Sequence, residues 1–408
     1  LIVFNSCFVE KKEYQATENI KFSCNDSNFI LNIKKNEKQL FEVCYKDCVE
    51  SKNIYACGNL SFFYLVGKGT KPDIKKAYRL AEGTCSKNIG IGCAVLGSFY
   101  FYGEKPVFLK NHGLAFKYYK KACDLGSALG CYFLGYMYME GYGTFRDTKK
   151  ALKLYEKSCD MGFVEACMKI GFIYYNMTDF GKKFNANYLK KDYLKFFKKA
   201  CELGSDIGCF NSGVIYLKRN DKENALKYFV LSCQQDFAKG CYRAANIYSS
   251  YNDMEKTAKY LKKSCNLGYP YACYKLGNLY KKQNKLTKAL KYFNLACSKD
   301  FSDGCFLASY IYTQQGNLEK SLEYLNKTCD LKNPKGCYML GVIYIELGDN
   351  NKAIKFLEKA CNLDLGVGCL DLGKLYKKLN NKNKAKDYFL KACKLNEKEG
   401  CKILKEYK

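Results

Sequence analysis

The chain has 408 residues, with 68 Lys and Arg against 40 Asp and Glu, a formal charge of +28, one histidine, no tryptophan and 25 cysteines. A single histidine excludes the multi-histidine zinc sites of hydrolases, and so many cysteines do not suit a reducing cytosol unless they bind metal. No run of 18 apolar residues is present, which leaves the given sequence without a candidate transmembrane helix.

Residues 1–37 read as an N-terminal extension. Its start, Leu1-Ile2-Val3-Phe4, has no methionine and resembles the tail of a removed or truncated secretory signal. Cys24 and Cys44 offer a tie between the extension and the first helix. Cys7 is left over; it loosely resembles a lipoprotein lipid-anchor site, the plainer reading being that it belongs to the signal or pairs differently.

From residue 38 to 408 the sequence repeats. Cys48 and Cys57 flank a degenerate unit, with a separation of nine, and Tyr64 and Ala77 echo the later pattern. Ten pairs eight apart follow: Cys85/Cys93, Cys123/Cys131, Cys159/Cys167, Cys201/Cys209, Cys233/Cys241, Cys265/Cys273, Cys297/Cys305, Cys329/Cys337, Cys361/Cys369 and Cys393/Cys401. The steps are 38, 36 and 42 residues and then 32 without a slip from Cys201. A period in this range means stacked structural repeats, so one long array is expected over residues 38–408.

Within the repeat opening at Cys273, Leu276, Gly277 and Tyr280 follow at helical spacing. After a polar break around Asn284, Ala289, Tyr292, Phe293, Ala296 and Cys297 lie on a second helix. Leu340, Gly341, Tyr344 and Ala353, and Leu372, Gly373, Tyr376 and Ala385, keep the same offsets. Glycine inside a helix costs about 1 kcal/mol relative to alanine, so its recurrence predicts close approach of the two helices.

These residues resemble the tetratricopeptide family, whose first helix carries W-x2-L-G-x2-Y, with cysteine standing where that family has tryptophan. The second cysteine of each pair and the G-x-G turns Gly67 to Gly69 and Gly141 to Gly143 are similar to the Sel-like repeat subfamily, in its disulfide-rich form, the Helicobacter cysteine-rich proteins. The implied fold is an all-α, right-handed α/α solenoid of about eleven disulfide-stapled helix pairs.

Disulfides are favoured over iron, zinc or free thiols. C-x7-C lacks zinc spacing, and cysteines at the end of one helix and the start of the next antiparallel one come within about 6 Å between Cα atoms. The framework is expected to be sequential, with Cys48 to Cys57 included, and the compartment secreted or periplasmic. No metal or other cofactor is expected. The positive charge comes mainly from lysines on second helices, such as Lys190, Lys191, Lys195, Lys198 and Lys199. A solvated outer face explains them better than a polyanion site, because they are spread over all repeats, and no nucleic-acid module is recognisable.

For catalysis, His112 lies in a polar segment and reads as a surface or capping residue. The resemblance implies an alternative function, since several Helicobacter cysteine-rich proteins are described as penicillin-binding with weak β-lactamase activity, with a β-lactam as ligand. Serine β-lactamases need S-x-x-K, S-D-N and K-T-G. None occurs; Thr84-Cys85-Ser86-Lys87 is the nearest approach. Glu42, Asp47 and Glu165 stand singly on solvated faces. No catalytic residue is therefore assigned, and whether the protein is an enzyme stays open at this point.

The resemblance also implies a concave groove lined by positions one, five and eight after each opening cysteine. Position one holds Tyr132, Phe210, Tyr242, Tyr274, Phe306 and Tyr338; position five holds Tyr136, Phe172, Asn246, Asn278 and Tyr310. Aromatics with interspersed amides suit a peptide, a protein or an envelope glycan or polyanion. Interhelix packing is an equal reading for position one, whereas Asn246 and Asn278 argue for exposure at position five. The leading expectation is an interaction scaffold.

Overall fold

The computed structural model describes residue 24 and residues 37–103, 109–184 and 192–405; Cys7, Lys190 and Lys191 lie outside them. Two compact units are present, Leu1–Leu203 and Gly204–Lys408. In the first, α1 (Glu37–Val49) precedes four antiparallel pairs, α2 (Ile54–Val66) with α3 (Ile74–Ser86), α4 (Gly90–Tyr102) with α5 (His112–Asp124), α6 (Ala128–Glu140) with α7 (Thr148–Asp160), and α8 (Val164–Phe184) with α9 (Tyr193–Glu202).

The second unit stacks α10 (Asp206–Lys218) with α11 (Lys222–Gln234), α12 (Ala238–Ser250) with α13 (Met254–Asn266), and α14 (Pro270–Lys282) with α15 (Leu286–Cys297). Then come α16 (Ser302–Gln314) with α17 (Leu318–Asp330), α18 (Pro334–Glu346) with α19 (Asn350–Asn362), α20 (Gly366–Lys378) with α21 (Lys382–Lys394), and α22 (Lys398–Lys405). The described residues are all-helical, ten pairs flanked by α1 and α22, and each unit is an α/α solenoid.

Three residues separate the two helices of each repeat in the second unit. The second of them is left-handed, Asn220, Asn252, Asn284, Gly316, Gly348 or Asn380, a conformation that Gly and Asn adopt at least cost. The next residue caps the second helix in five of the six turns. Asp221, Asp253, Asn317, Asp349 and Asn381 each accept a backbone N–H from three residues on, at 3.0–3.2 Å. Lys285 makes no such side-chain cap.

The core of a repeat lies between its two helices. In the repeat opening at Cys273, Gly277 on α14 faces Phe293 on α15; Leu276, Ala289, Phe293 and Ala296 are buried. Gly373 faces Phe389 in the same way.

Junctions between repeats are covalently closed. Cys85–Cys93, Cys123–Cys131, Cys159–Cys167, Cys233–Cys241, Cys265–Cys273, Cys297–Cys305, Cys329–Cys337, Cys361–Cys369 and Cys393–Cys401 are disulfides with Cα atoms 4.4–4.7 Å apart. Cys48–Cys57 and Cys24–Cys44 are bonded at 4.7 and 5.2 Å, and Cys201 and Cys209 are each in a disulfide. Such close approach needs small residues beside the sulfurs. A Cβ on Gly304 would come 2.6 Å from the Cβ of Ala296. In the first unit, Lys121 and Lys157 donate to the Cys85 and Cys123 carbonyls of the preceding junction at 3.1 and 3.4 Å, where a helix C-terminus favours a cation.

Cys24 is fully buried, and its carbonyl accepts from Asn59 Nδ2 at 3.2 Å while its N–H donates to Asp47 Oδ2 at 3.2 Å. Asp47 is thus half-buried and engaged.

Candidate functional site

At 100° per residue, the opening cysteine and the third and fourth residues after it point into a repeat, and positions −2, +1, +2, +5, +8 and +9 share a separate arc of about 120°. The structure divides that arc in two. Position-one rings are half-buried and packed. Phe210 lies 5.7 Å from Phe229 and 5.2 Å from Phe237; Tyr274 lies 6.3 Å from Phe293 and 5.3 Å from Phe301. Tyr242 contacts Tyr269 at 5.3 Å, and Tyr132 contacts Tyr155 at 5.5 Å and Phe163 at 5.1 Å. Each ring plugs the gap between its own second helix and the turn leading into the next repeat. Phe306 is half-buried likewise, and Tyr338 donates its hydroxyl to Asp371 Oδ2 at 2.9 Å.

Position five is more open. Tyr310 is 47% and Phe172 42% exposed, and Asn246 is exposed. Asn278 departs from the expectation of exposure: it is half-buried, and its Nδ2 donates to the Tyr274 carbonyl at 3.1 Å. An amide one turn from a carbonyl on its own helix satisfies itself locally. Tyr136 is half-buried in a ring cluster, 6.0 Å from both Phe101 and Tyr142.

His112 belongs to that cluster rather than to the surface. Asn111, not His112, caps α5, through Leu114 N–H at 3.0 Å. The imidazole stacks on Tyr142 at 4.8 Å and lies 5.2 Å from Phe101, with Nδ1 buried and, among the described residues, without a hydrogen-bond partner. Burial, then the charge of Lys110, hold its pKa below the ordinary value. Thr84 is 3% exposed and donates its hydroxyl to the Leu80 carbonyl at 2.6 Å, as a packing residue of α3.

Three phenols at position one, Tyr132, Tyr242 and Tyr338, are raised above the ordinary value and stay neutral. Burial first, then the Glu165 carboxylate, push Tyr132 up to about 12. Burial followed by the Asp371 hydrogen bond push Tyr338 to about 12. Burial raises Tyr242, with Asn246 opposing it through a hydrogen bond. Neutral phenols and amides exchange hydrogen bonds with polar ligands without titrating.

Sequence reasoning missed Tyr271, Arg243, Lys275 and Lys281 on this face. Tyr271 sits at position −2 of α14, with its ring 5.4 Å from Tyr242 and 5.8 Å from Tyr274. Lys275 Nζ lies 5.2 Å from the Tyr271 centroid, and Lys281 Nζ 4.9 Å from that of Tyr310. Their positions relative to the opening cysteine were readable in the sequence. Among the described residues no group of three or more His, Cys, Asp or Glu side chains is placed to hold a metal ion, and no helix is long and apolar enough to cross a membrane.

Comparison with known families finds the Sel1 repeat over residues 54–82, 91–127, 128–163, 194–205, 208–237 and 238–269, and the tetratricopeptide repeat over 270–300, 302–333, 334–366 and 368–399. The chain is 30% identical over 138 residues to cytochrome c oxidase assembly factor 7 of Xenopus tropicalis, a match covering 31% of this chain and 57% of that protein. Among solved structures, c5321, a protective antigen of uropathogenic Escherichia coli with an SLR fold, is 22% identical, with a TM-score of 0.57 over 88% of this chain and 79% of that one. Helicobacter pylori cysteine rich protein B is 32% identical over 33% of this chain and 95% of its own, with a TM-score of 0.25.

Proposed function

Because the chain belongs to the Sel1-like, tetratricopeptide-related repeat proteins and closes its repeat junctions with disulfides, we propose that it is a secreted or periplasmic scaffold that holds a partner polypeptide along the first helices of its repeats. The observation that carries this reading is the exposed fifth position, where Asn246 and Tyr310 face solvent beside a floor of packed position-one rings. Packing does not require an exposed amide there, whereas an extended backbone uses one.

The disulfides support an oxidising, non-cytoplasmic compartment. Secretion or periplasmic export is the form of it proposed here, and the redox state of the cysteines in fractionated source cells checks it. The relative named for cytochrome c oxidase assembly is consistent with a holding role.

Screening a displayed peptide library against the full oxidised chain tests the reading. Bound peptides should lose about tenfold or more in affinity with Asn246→Ala combined with Tyr310→Ala, at unchanged melting temperature. Retention of all binders by that variant would place their site elsewhere and refute the groove.

A further inference from the structure

The first helices of the second unit are unequal in charge. On α12 stand Lys239 and Arg243, and on α14 Lys275, Lys281 and Lys282, with no Asp or Glu on either helix. The flanking first helices are different: Asp206 accompanies Lys218 on α10, Asp303 stands without a cation on α16, and Glu346 balances Lys335 on α18.

All five cations occupy positions −2, +2, +8 or +9, inside the arc that holds Asn246. Ring contacts join the helices into one strip, Tyr242 to Tyr271 between α12 and α14 and Lys281 to Tyr310 between α14 and α16. Among the described residues none of the five pairs with a carboxylate. Some lysines of the second helices do pair: Lys256 with Asp253, Lys263 with Asp236, Lys327 with Asp300 and Lys352 with Asp349, at 3.0–3.1 Å.

Most ring faces of the strip are engaged, Tyr310 being the most open at 47% exposure. Tyr271 and Tyr274 stack on each other, Phe301 closes on both, and Lys281 covers Tyr310. A sugar or a nucleobase, which binds by stacking on a free ring face, finds little here. A carboxylate between Arg243, Lys275 and Lys281 finds cations that, among the described residues, have no carboxylate partner.

We propose that the α12–α14–α16 strip binds an acidic, extended segment of a partner polypeptide, its carboxylates meeting Arg243, Lys275 and Lys281 and its backbone meeting Asn246. This deepens the scaffold reading and rests on it. Directly packed helices lie about 10 Å apart, the length of about three extended residues, and these successive first helices are no closer, so the favoured segment carries acidic residues about three or more positions apart.

Fluorescence anisotropy on the full oxidised chain tests this, using a labelled peptide of about twelve residues with Glu at every third position and a counterpart with Gln at those sites. The Glu peptide should bind about tenfold or more tightly than the Gln peptide, and weaken steeply as salt rises toward about 0.5 M. Arg243→Ala, Lys275→Ala and Lys281→Ala together should remove that preference. Lys259→Ala, Lys262→Ala and Lys291→Ala, an equal loss of charge at exposed second-helix sites, should preserve it. Equal losses in the two triple variants would mean that overall charge, not the strip, attracts the peptide, and would overturn the proposal. A heparin fragment bound more tightly than the Glu peptide and displaced by the first triple variant would overturn it in favour of an anionic polysaccharide. Equal binding of Glu and Gln peptides, sensitive to Asn246→Ala, would refute the acidic ligand while leaving the groove, whereas no binding of either, together with an empty library screen, would sink both.

Discussion

Phe293 fills the space that any side chain on Gly277 would need. A Cβ at that glycine would sit 2.6 Å from Cε1 of the ring, well inside van der Waals contact. Gly213 with Phe229 and Gly373 with Phe389 keep the pair, Gly341 faces Leu357, and two repeats change both positions. Ala245 and Ser309 replace the glycine where Leu261 and Leu325 replace the aromatic.

Gly277→Leu is therefore expected to destabilise the second unit by several kcal/mol, about 3 or more, through overpacking. Gly277→Ala should cost less, and Phe293→Leu should relieve part of that cost, giving a favourable coupling in a double-mutant cycle of thermal unfolding. Strict additivity would show that the two side chains do not compete for one volume.

Removing one junction staple should act locally. Cys265→Ser with Cys273→Ser is expected to cost about 2.5 kcal/mol on the chain-entropy model, and hydrogen exchange should rise at the α13–α14 junction but not at Cys361–Cys369. Non-reducing peptide mapping of the parent chain should return pairs eight apart in every regular repeat, besides Cys24–Cys44 and Cys48–Cys57, and a pair such as Cys233 to Cys265 would contradict the framework.

The capping aspartates make an acid-sensitive contribution. Backbone hydrogen bonds from Lys256 and Lys352, then the lysine side chains, hold Asp253 and Asp349 below the ordinary carboxylate value. A carboxyl depressed in the folded state adds stability above its unfolded pKa, about 3.9, and loses it as pH falls through the lower folded value. Asp253→Asn with Asp349→Asn keeps the caps and should flatten the decline of melting temperature below about pH 4.

His112 should titrate below an ordinary histidine. Its folded state binds fewer protons than its unfolded state, so the contribution to stability is present above about pH 6.5 and is lost as pH falls through the depressed value. As the chain holds one histidine, a single imidazole NMR resonance reports this directly, and Tyr142→Ala, which uncovers one ring face, should move its midpoint upward.

The repeats and the helix pairing were legible because period and offset alone determine them, as Cys273, Gly277 and Tyr280 illustrate. Less legible was the role of the position-one aromatics. Phe210 and Tyr274 find their partners in Phe237 and Phe301, one residue before the following first helix. Those residues also recur with the period, but only the folded turn shows that they close over the preceding ring. His112 was illegible for a different reason. Its stacking partner, Tyr142, lies in a turn of the next repeat, and no local spacing announces a contact made across a loop.

The eight-residue spacing of the staples has a consequence for biosynthesis. From Cys209 onward, each cysteine's native partner is eight residues away on one side, while the competitor on the other side is 24 residues away, as from Cys241 to Cys265. Loop-closure entropy favours the shorter loop by about fivefold, and a chain emerging from its N-terminus presents that partner first. Oxidation can then proceed repeat by repeat behind the emerging end, with little need for reshuffling.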